Sequence, residues 1–118
     1  MKTHHDLEVW KLSIKFVDKI YDLAESFPKK ETYALSSQMQ RAAVSVASNI
    51  AEGAARHYSK EFIQYLYQSL GSTSELETQI IIASNRNYIQ CKKEIMNELY
   101  HIQKLLYGLI KFLKNKKF

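Results

Sequence analysis

The sequence is short of the residues that bend or cross-link a chain. It has one Pro and three Gly in 118 residues, too few for the many tight turns of a β-sandwich or barrel. Its one cysteine, Cys91, excludes a disulfide framework and any CxxC zinc pattern, and fits a reducing compartment. No run approaches the roughly 18 apolar residues of a membrane span, so no membrane role is expected. The opening MKTHHDLEVW carries no apolar stretch of signal-peptide length, and a cytoplasmic protein is expected. The histidines make no HxxxH or HExxH, since His4 and His5 adjoin while His57 and His101 stand apart; no metal is expected. Tyr100-xxx-Lys104 and Tyr107-xxx-Lys111 share a spacing with some dehydrogenases. Without a glycine-rich loop or a βαβ pattern they are accidents of helical period. Ser26-Phe27-Pro28-Lys29 has an SxxK spacing at a helix end, with no supporting motif. No nucleophile–base pair, catalytic residue or cofactor site can be assembled, and the chain reads as a non-enzyme.

What is present is helix. At 46% hydrophobic and 25% charged the composition is that of a globular protein, and the length suits one domain with one core. The organising stretch is Gln38 to Arg56, QMQRAAVSVASNIAEGAAR. Written as a helix, Leu35, Met39, Ala42, Val46, Ile50 and Gly53 fall on one stripe at four- and three-residue steps. Ala43, Ala47, Ala51 and Ala54 widen it, so neighbours can approach closely on several sides. The spacing predicts a second helix over about 33–55, capped by Thr32 or Ser36, with Gly53 as a close-contact site.

A first helix is expected over about 6–26, with Asp6 as its N-cap and Pro28 ending it. Leu7, Trp10, Ile14, Val17, Tyr21 and Ala24 form its heptad stripe, with Phe16, Ile20 and Leu23 off that line. A third helix, about 60–84, follows Ser59 as N-cap, and its seam is Phe62, Leu66, Leu70, Thr73, Leu76, Ile80 and Ala83. Gly71 lies in mid-helix, where Gly costs about 1 kcal/mol against Ala, and close approach of a neighbouring backbone is the expected reason. A fourth helix, about 92–114, carries Ile95, Leu99, Ile102, Leu106, Leu109 and Leu113, with Leu105, Ile110 and Phe112 off the line. Four such helices with short links predict an all-α, up-down-up-down antiparallel four-helix bundle. The off-line apolar residues are either a widened core face or a surface for self-association.

Charge is unevenly placed. Lys92 to Phe118 holds seven Lys against two Glu, a local +5 that equals the net charge of the whole chain. An acidic partner is implied, nucleic acid first, whether RNA or DNA. Lys104, Lys111, Lys114, Lys116 and Lys117, with Tyr100 and Tyr107 between them, have the makings of a phosphate-tracking stripe, to which Arg56 adds a further cation. The competing explanation is a solvated terminal helix whose last lysines suit the helix dipole, on a module that binds only proteins. On the second helix, Gln38, Arg41, Ser45, Ser48 and Glu52 make a polar stripe. Folding that helix against the third places Arg41 within reach of Glu75 or Glu77, and Asn49 near Tyr65. A structural polar network of Arg41, Asn49, Glu52, Glu75 and Glu77 is expected to set helix register.

The blocks Leu7-Glu8-Val9-Trp10, Phe27-Pro28, Gln38-x-x-Arg41-Ala42-Ala43-Val44-Ser45, Ser48-Asn49-Ile50-Ala51-Glu52-Gly53-x-x-Arg56 and Gly71-Ser72-x-x-Glu75-Leu76-Glu77-Thr78-Gln79 carry a resemblance. The chain resembles the small bacterial four-helix-bundle family named after proteins encoded in intervening sequences of 23S ribosomal RNA genes. The accessory variability protein of diversity-generating retroelements is similar to that family. The resemblance covers Leu7 to about Tyr88; the fourth helix matches only in character. Val46-Ala47 stands where many relatives carry Ile-Pro, which should leave the second helix straighter. The resemblance implies a homopentameric ring around a basic channel and, for the retroelement branch, binding to nucleic acid and to a reverse transcriptase.

Overall fold

The computed structural model describes residues 3–116, and its order is α1 (Glu8–Glu25), α2 (Leu35–Ala54), α3 (Ser59–Asn85) and α4 (Lys92–Lys114). Each helix packs on the next, α4 closes back on α1, and the diagonal pairs stay apart. The result is a four-helix bundle 52 Å long and 23 by 19 Å across. Cross-helix contacts fix the antiparallel sense: Ser45 meets Ser72, while Gly53, further along α2, meets Phe62, which is earlier on α3.

The most extensive pairing is α2 with α3, and the smooth surface of α2 is the cause. Met39, Ala42, Val46, Ile50 and Gly53 are buried as their spacing predicts, and so is the whole predicted stripe of α3. The small residues let hydroxyls cross the gap. Ser69 Oγ donates to the Val46 carbonyl at 2.9 Å, and the Ser45 and Ser72 hydroxyls lie 2.8 Å apart. Gly53 is the close-contact site, since a Cβ there would lie 2.8 Å from both Phe62 Cδ1 and Tyr65 Cβ. Gly71 is not one. It is exposed, and a Cβ there meets nothing within 4 Å.

In α1 the expected seam is displaced. Val9, Ser13, Phe16, Ile20 and Ala24 face the core, whereas Ile14 and Tyr21 are 39% and 41% exposed. Phe16 and Ile20 therefore belong to the core, as does Ile110 of α4, so a widened core face accounts for these three. Leu23 and Leu105 pack on the core margin, and Phe112 is exposed. The displaced stripe of Trp10, Ile14, Val17 and Tyr21 runs beside it on the outer flank of α1.

The helix ends also depart from expectation. Asp6 is not the N-cap of α1, a position Leu7 takes; it closes a 3-10 turn over His4–Asp6, where its carboxylate accepts from the Thr3 N–H and the Thr3 hydroxyl accepts from the His5 N–H. Leu7, Ala34 and Tyr58 occupy the N-cap positions of α1, α2 and α3 without side-chain caps. Ser59 is thus the first residue of α3, and Thr32 ends a 3-10 turn over Lys29–Glu31. Ser36 ties α2 to α1 through the Ala24 carbonyl, at 3.5 Å. The α3–α4 link turns on Asn87, at φ 64, with the Tyr88 N–H returning to the Ala83 carbonyl and the Asn87 N–H to that of Ser84. This is a Schellman ending, with Asn in the left-handed position Gly usually takes. Tyr88 then locks that end of the bundle: its ring meets Phe27, and its hydroxyl donates to Glu31 at 2.9 Å.

Candidate nucleic-acid interface

α4 carries two heptad stripes. Its buried one holds the core, and its exposed one reads Lys93, Asn97, Tyr100, Lys104, Tyr107, Lys111 and Lys114, at alternating steps of four and three. Because the period is the same, the outer stripe stays in line along the whole helix. It runs along the edge of α4 that faces α3, as three contacts show. Lys114 Nζ donates to the Tyr67 hydroxyl at 2.9 Å and stands 5.3 Å over that ring. Gln103 Nε2 donates to the buried Thr73 hydroxyl at 3.0 Å, and the Tyr100 hydroxyl donates to Glu77 at 2.9 Å. The Glu77 hydrogen bond is the largest cause holding the Tyr100 phenol proton above the ordinary value of 10.0, followed by desolvation and the carboxylate charge.

The groove between α3 and α4 widens at its two ends. One cleft is lined by Tyr67, Tyr107, Ile110, Lys111 and Lys114, the other by Ile81, Lys92, Lys93, Met96 and Tyr100. Each therefore pairs lysines with tyrosine rings over an apolar floor. Lys104 lies between them, exposed, one helical turn from Tyr100 and one from Tyr107.

The other expected cations lie near the end of the groove. Arg56, at the α2–α3 link, is held by Tyr65: its guanidinium donates to the hydroxyl and sits 4.7 Å over the ring. Arg56 and Lys116 line a single cleft with His57, Tyr58 and Phe112, although they are far apart in sequence. Lys117 lies outside the described residues.

The expected polar network does not assemble as one unit. Arg41 is exposed and makes no hydrogen bond or ion pair among the described residues, with Glu75, Glu77 or any other group. It lies on the outward face of α2, in a shallow cleft with Tyr21 and Val44. Asn49 turns back on its own helix, donating to the Ser45 carbonyl at 2.9 Å and to its hydroxyl at 3.0 Å. Glu52 is exposed. Glu75 accepts from Gln79 Nε2 at 3.3 Å, and Glu77 serves Tyr100. The serine hydroxyls, not charges, make the α2–α3 cross-links.

A further cleft opens between α1 and α4, with Leu12, Phe16 and Ile102 inside and Lys15, Lys19, Glu98 and His101 at the rim. The one ion pair among the described residues, Lys19–Glu98, spans it. His4 and His5 pack on Trp10, with ring centroids 4.9 and 5.1 Å away. No group of three metal-ligating side chains occurs among the described residues, and no helix is long and apolar enough to cross a membrane.

Fold and surface together define a small helical-bundle protein with a lysine- and tyrosine-lined groove. The chain belongs to the 23S rRNA-intervening sequence protein family, whose profile matches residues 5–108. A similar solved structure is a protein of unknown function from the S23 ribosomal protein family of Bacteroides thetaiotaomicron. It is 26% identical and superposes with a TM-score of 0.80 over 87% of this chain and 95% of its own. No curated protein matches.

Sequence reasoning missed Tyr67, Lys92 and Lys93 as parts of the surface. Tyr67 carried a readable signal: folding α3 against α4 about the link near residue 89 sets it level with Lys111, one turn from the Lys114 that it meets.

Proposed function

We propose that this protein is a non-enzymatic, self-associating cytoplasmic bundle that binds nucleic acid through backbone charge and serves as an accessory to a nucleic-acid-processing partner. The observation that carries the reading is the outer stripe of α4, where Lys93, Lys104, Lys111 and Lys114 share one exposed line beside α3. A charge line of this kind neutralises phosphates without reading sequence, and its binding falls steeply with salt as counterions are no longer usefully released. Family membership is compatible with this role, and a reverse transcriptase is the partner suggested by the resemblance to the retroelement accessory protein.

The test is fluorescence anisotropy with a labelled oligonucleotide at about 50 and 200 mM salt. If four lysines each meet one phosphate of a single strand, affinity should fall roughly fiftyfold across that range. The K104Q/K111Q/K114Q/K116Q variant should lose binding at both salts. Binding that is absent at low salt, or present and unaffected by that variant, refutes the reading.

A second reading is a protein-interaction module with no nucleic-acid role. It is favoured by the exposed apolar line of Ile14, Tyr21 and Val44 along α1 and α2. On that reading the same assay shows no oligonucleotide binding, while assembly persists.

A further inference from the structure

We infer that the α3/α4 groove selects single-stranded nucleic acid, with bases stacking on Tyr67 and Tyr107 while the lysines beside them hold the phosphates. The inference rests on the nucleic-acid reading above and adds the form of the ligand. Charge alone cannot distinguish a single strand from a duplex. Rings can, because an unpaired base presents its face and a paired one hides it within the stack.

Three observations carry it. The tyrosines are exposed where a purely structural aromatic would be covered, Tyr67 at 46% and Tyr107 at 60%. They flank one cleft of about 340 Å³ whose cations are Lys111 and Lys114, so ring and charge lie within one nucleotide's reach of each other. Tyr67 is also fixed beforehand by Lys114, which limits the ordering needed on binding.

The test uses the full chain and a mixed-sequence RNA oligonucleotide, labelled, alone or annealed to its complement, with DNA of the same sequence in parallel. Wild-type protein should prefer the single strand. Y107L and Y67L should each weaken single-strand binding about tenfold, leave duplex binding unchanged and keep the salt slope, while Y107F retains wild-type affinity. Poly-glutamate of equal charge should compete poorly. Equal affinity for the duplex, or no effect of the leucine variants, overturns single-strand selection and leaves the charge-based reading standing. Efficient competition by poly-glutamate overturns it in favour of an acidic protein. Failure of the wild-type protein to bind either form overturns both readings.

Discussion

Gly53 of α2 sits against Phe62 of α3 so closely that a Cβ would come within 2.8 Å of the ring edge and within 3.2 Å of the Phe62 carbonyl. Phe62 is buried, and Tyr65 Cβ crowds the same point, so neither neighbour can swing away. The Gly53→Ala variant should therefore destabilise the protein by about 1–3 kcal/mol through overpacking, despite the gain of about 1 kcal/mol in helix propensity. Gly71→Ala meets open space and should stabilise by about 0.5–1 kcal/mol. Urea denaturation of the two variants checks both signs; a stabilising Gly53→Ala would mean the helices separate more easily than this contact implies.

The same pair shows what was legible in the chain. Gly53 was readable as a contact because it continues the Met39–Ile50 stripe, and Gly71 was misread because mid-helix position alone does not say which face a residue takes. The α2 and α3 stripes could be read directly, since polar residues occupy most of their other faces. α1 could not. It holds two adjacent apolar lines, Trp10-Ile14-Val17-Tyr21 and Val9-Phe16-Ile20, both at heptad spacing, and only packing against α2 and α4 decides between them. The lysine surplus of α4 was visible as composition. The groove was not, because Tyr67 joins it only through tertiary pairing. The Arg41–carboxylate pair failed for a related reason: the register leaves Arg41 level with Glu75, but its side chain opens onto the outer cleft beside Tyr21 of α1.

The displaced α1 line bears on assembly. Ile14 and Tyr21, with Val44 of α2, leave an apolar strip exposed on one flank. Contiguous patches of this kind mark protein contacts more often than isolated residues do. If copies of the chain meet there, wild-type protein should sediment well above 13.8 kDa, and Tyr21→Glu should return it to monomer with thermal stability nearly unchanged. A wild-type monomer at micromolar concentration would remove this surface, and the ring, from consideration.

Lys19 and Glu98 join α1 to α4, the least extensive of the bundle's helix contacts. Both side chains are more than two-fifths exposed, so solvent screens the pair and its net contribution should be at most about 1 kcal/mol. A double-mutant cycle with Lys19→Met and Glu98→Gln should return a coupling of that size at low salt and less at about 0.5 M salt. A coupling of several kcal/mol would show that the α1–α4 joint depends on this pair more than on Phe16 and Ile102 beneath it.

Tyr100 offers a pH-dependent signature of the groove. Its hydroxyl donates to Glu77, and that bond, with desolvation and the carboxylate charge, raises the phenol above the ordinary 10.0. The neutral, protonated form is the one the fold favours, so the folded protein holds this proton more tightly than the unfolded chain does. The stabilisation is fully present below the ordinary tyrosine value. It is lost as pH rises through the raised folded value, where ionised Tyr100 would face the Glu77 carboxylate. Ultraviolet titration of the Tyr100→Phe difference spectrum should place the transition above 10 in wild-type protein, and Glu77→Gln should move it down by removing the charge and most of the bond's preference for the proton. An unshifted transition in wild-type protein would mean that Tyr100 does not rest on Glu77 in solution. The Tyr100 ring would then be free to turn away from α3, and the outer stripe would lose one of its side-chain ties to that helix.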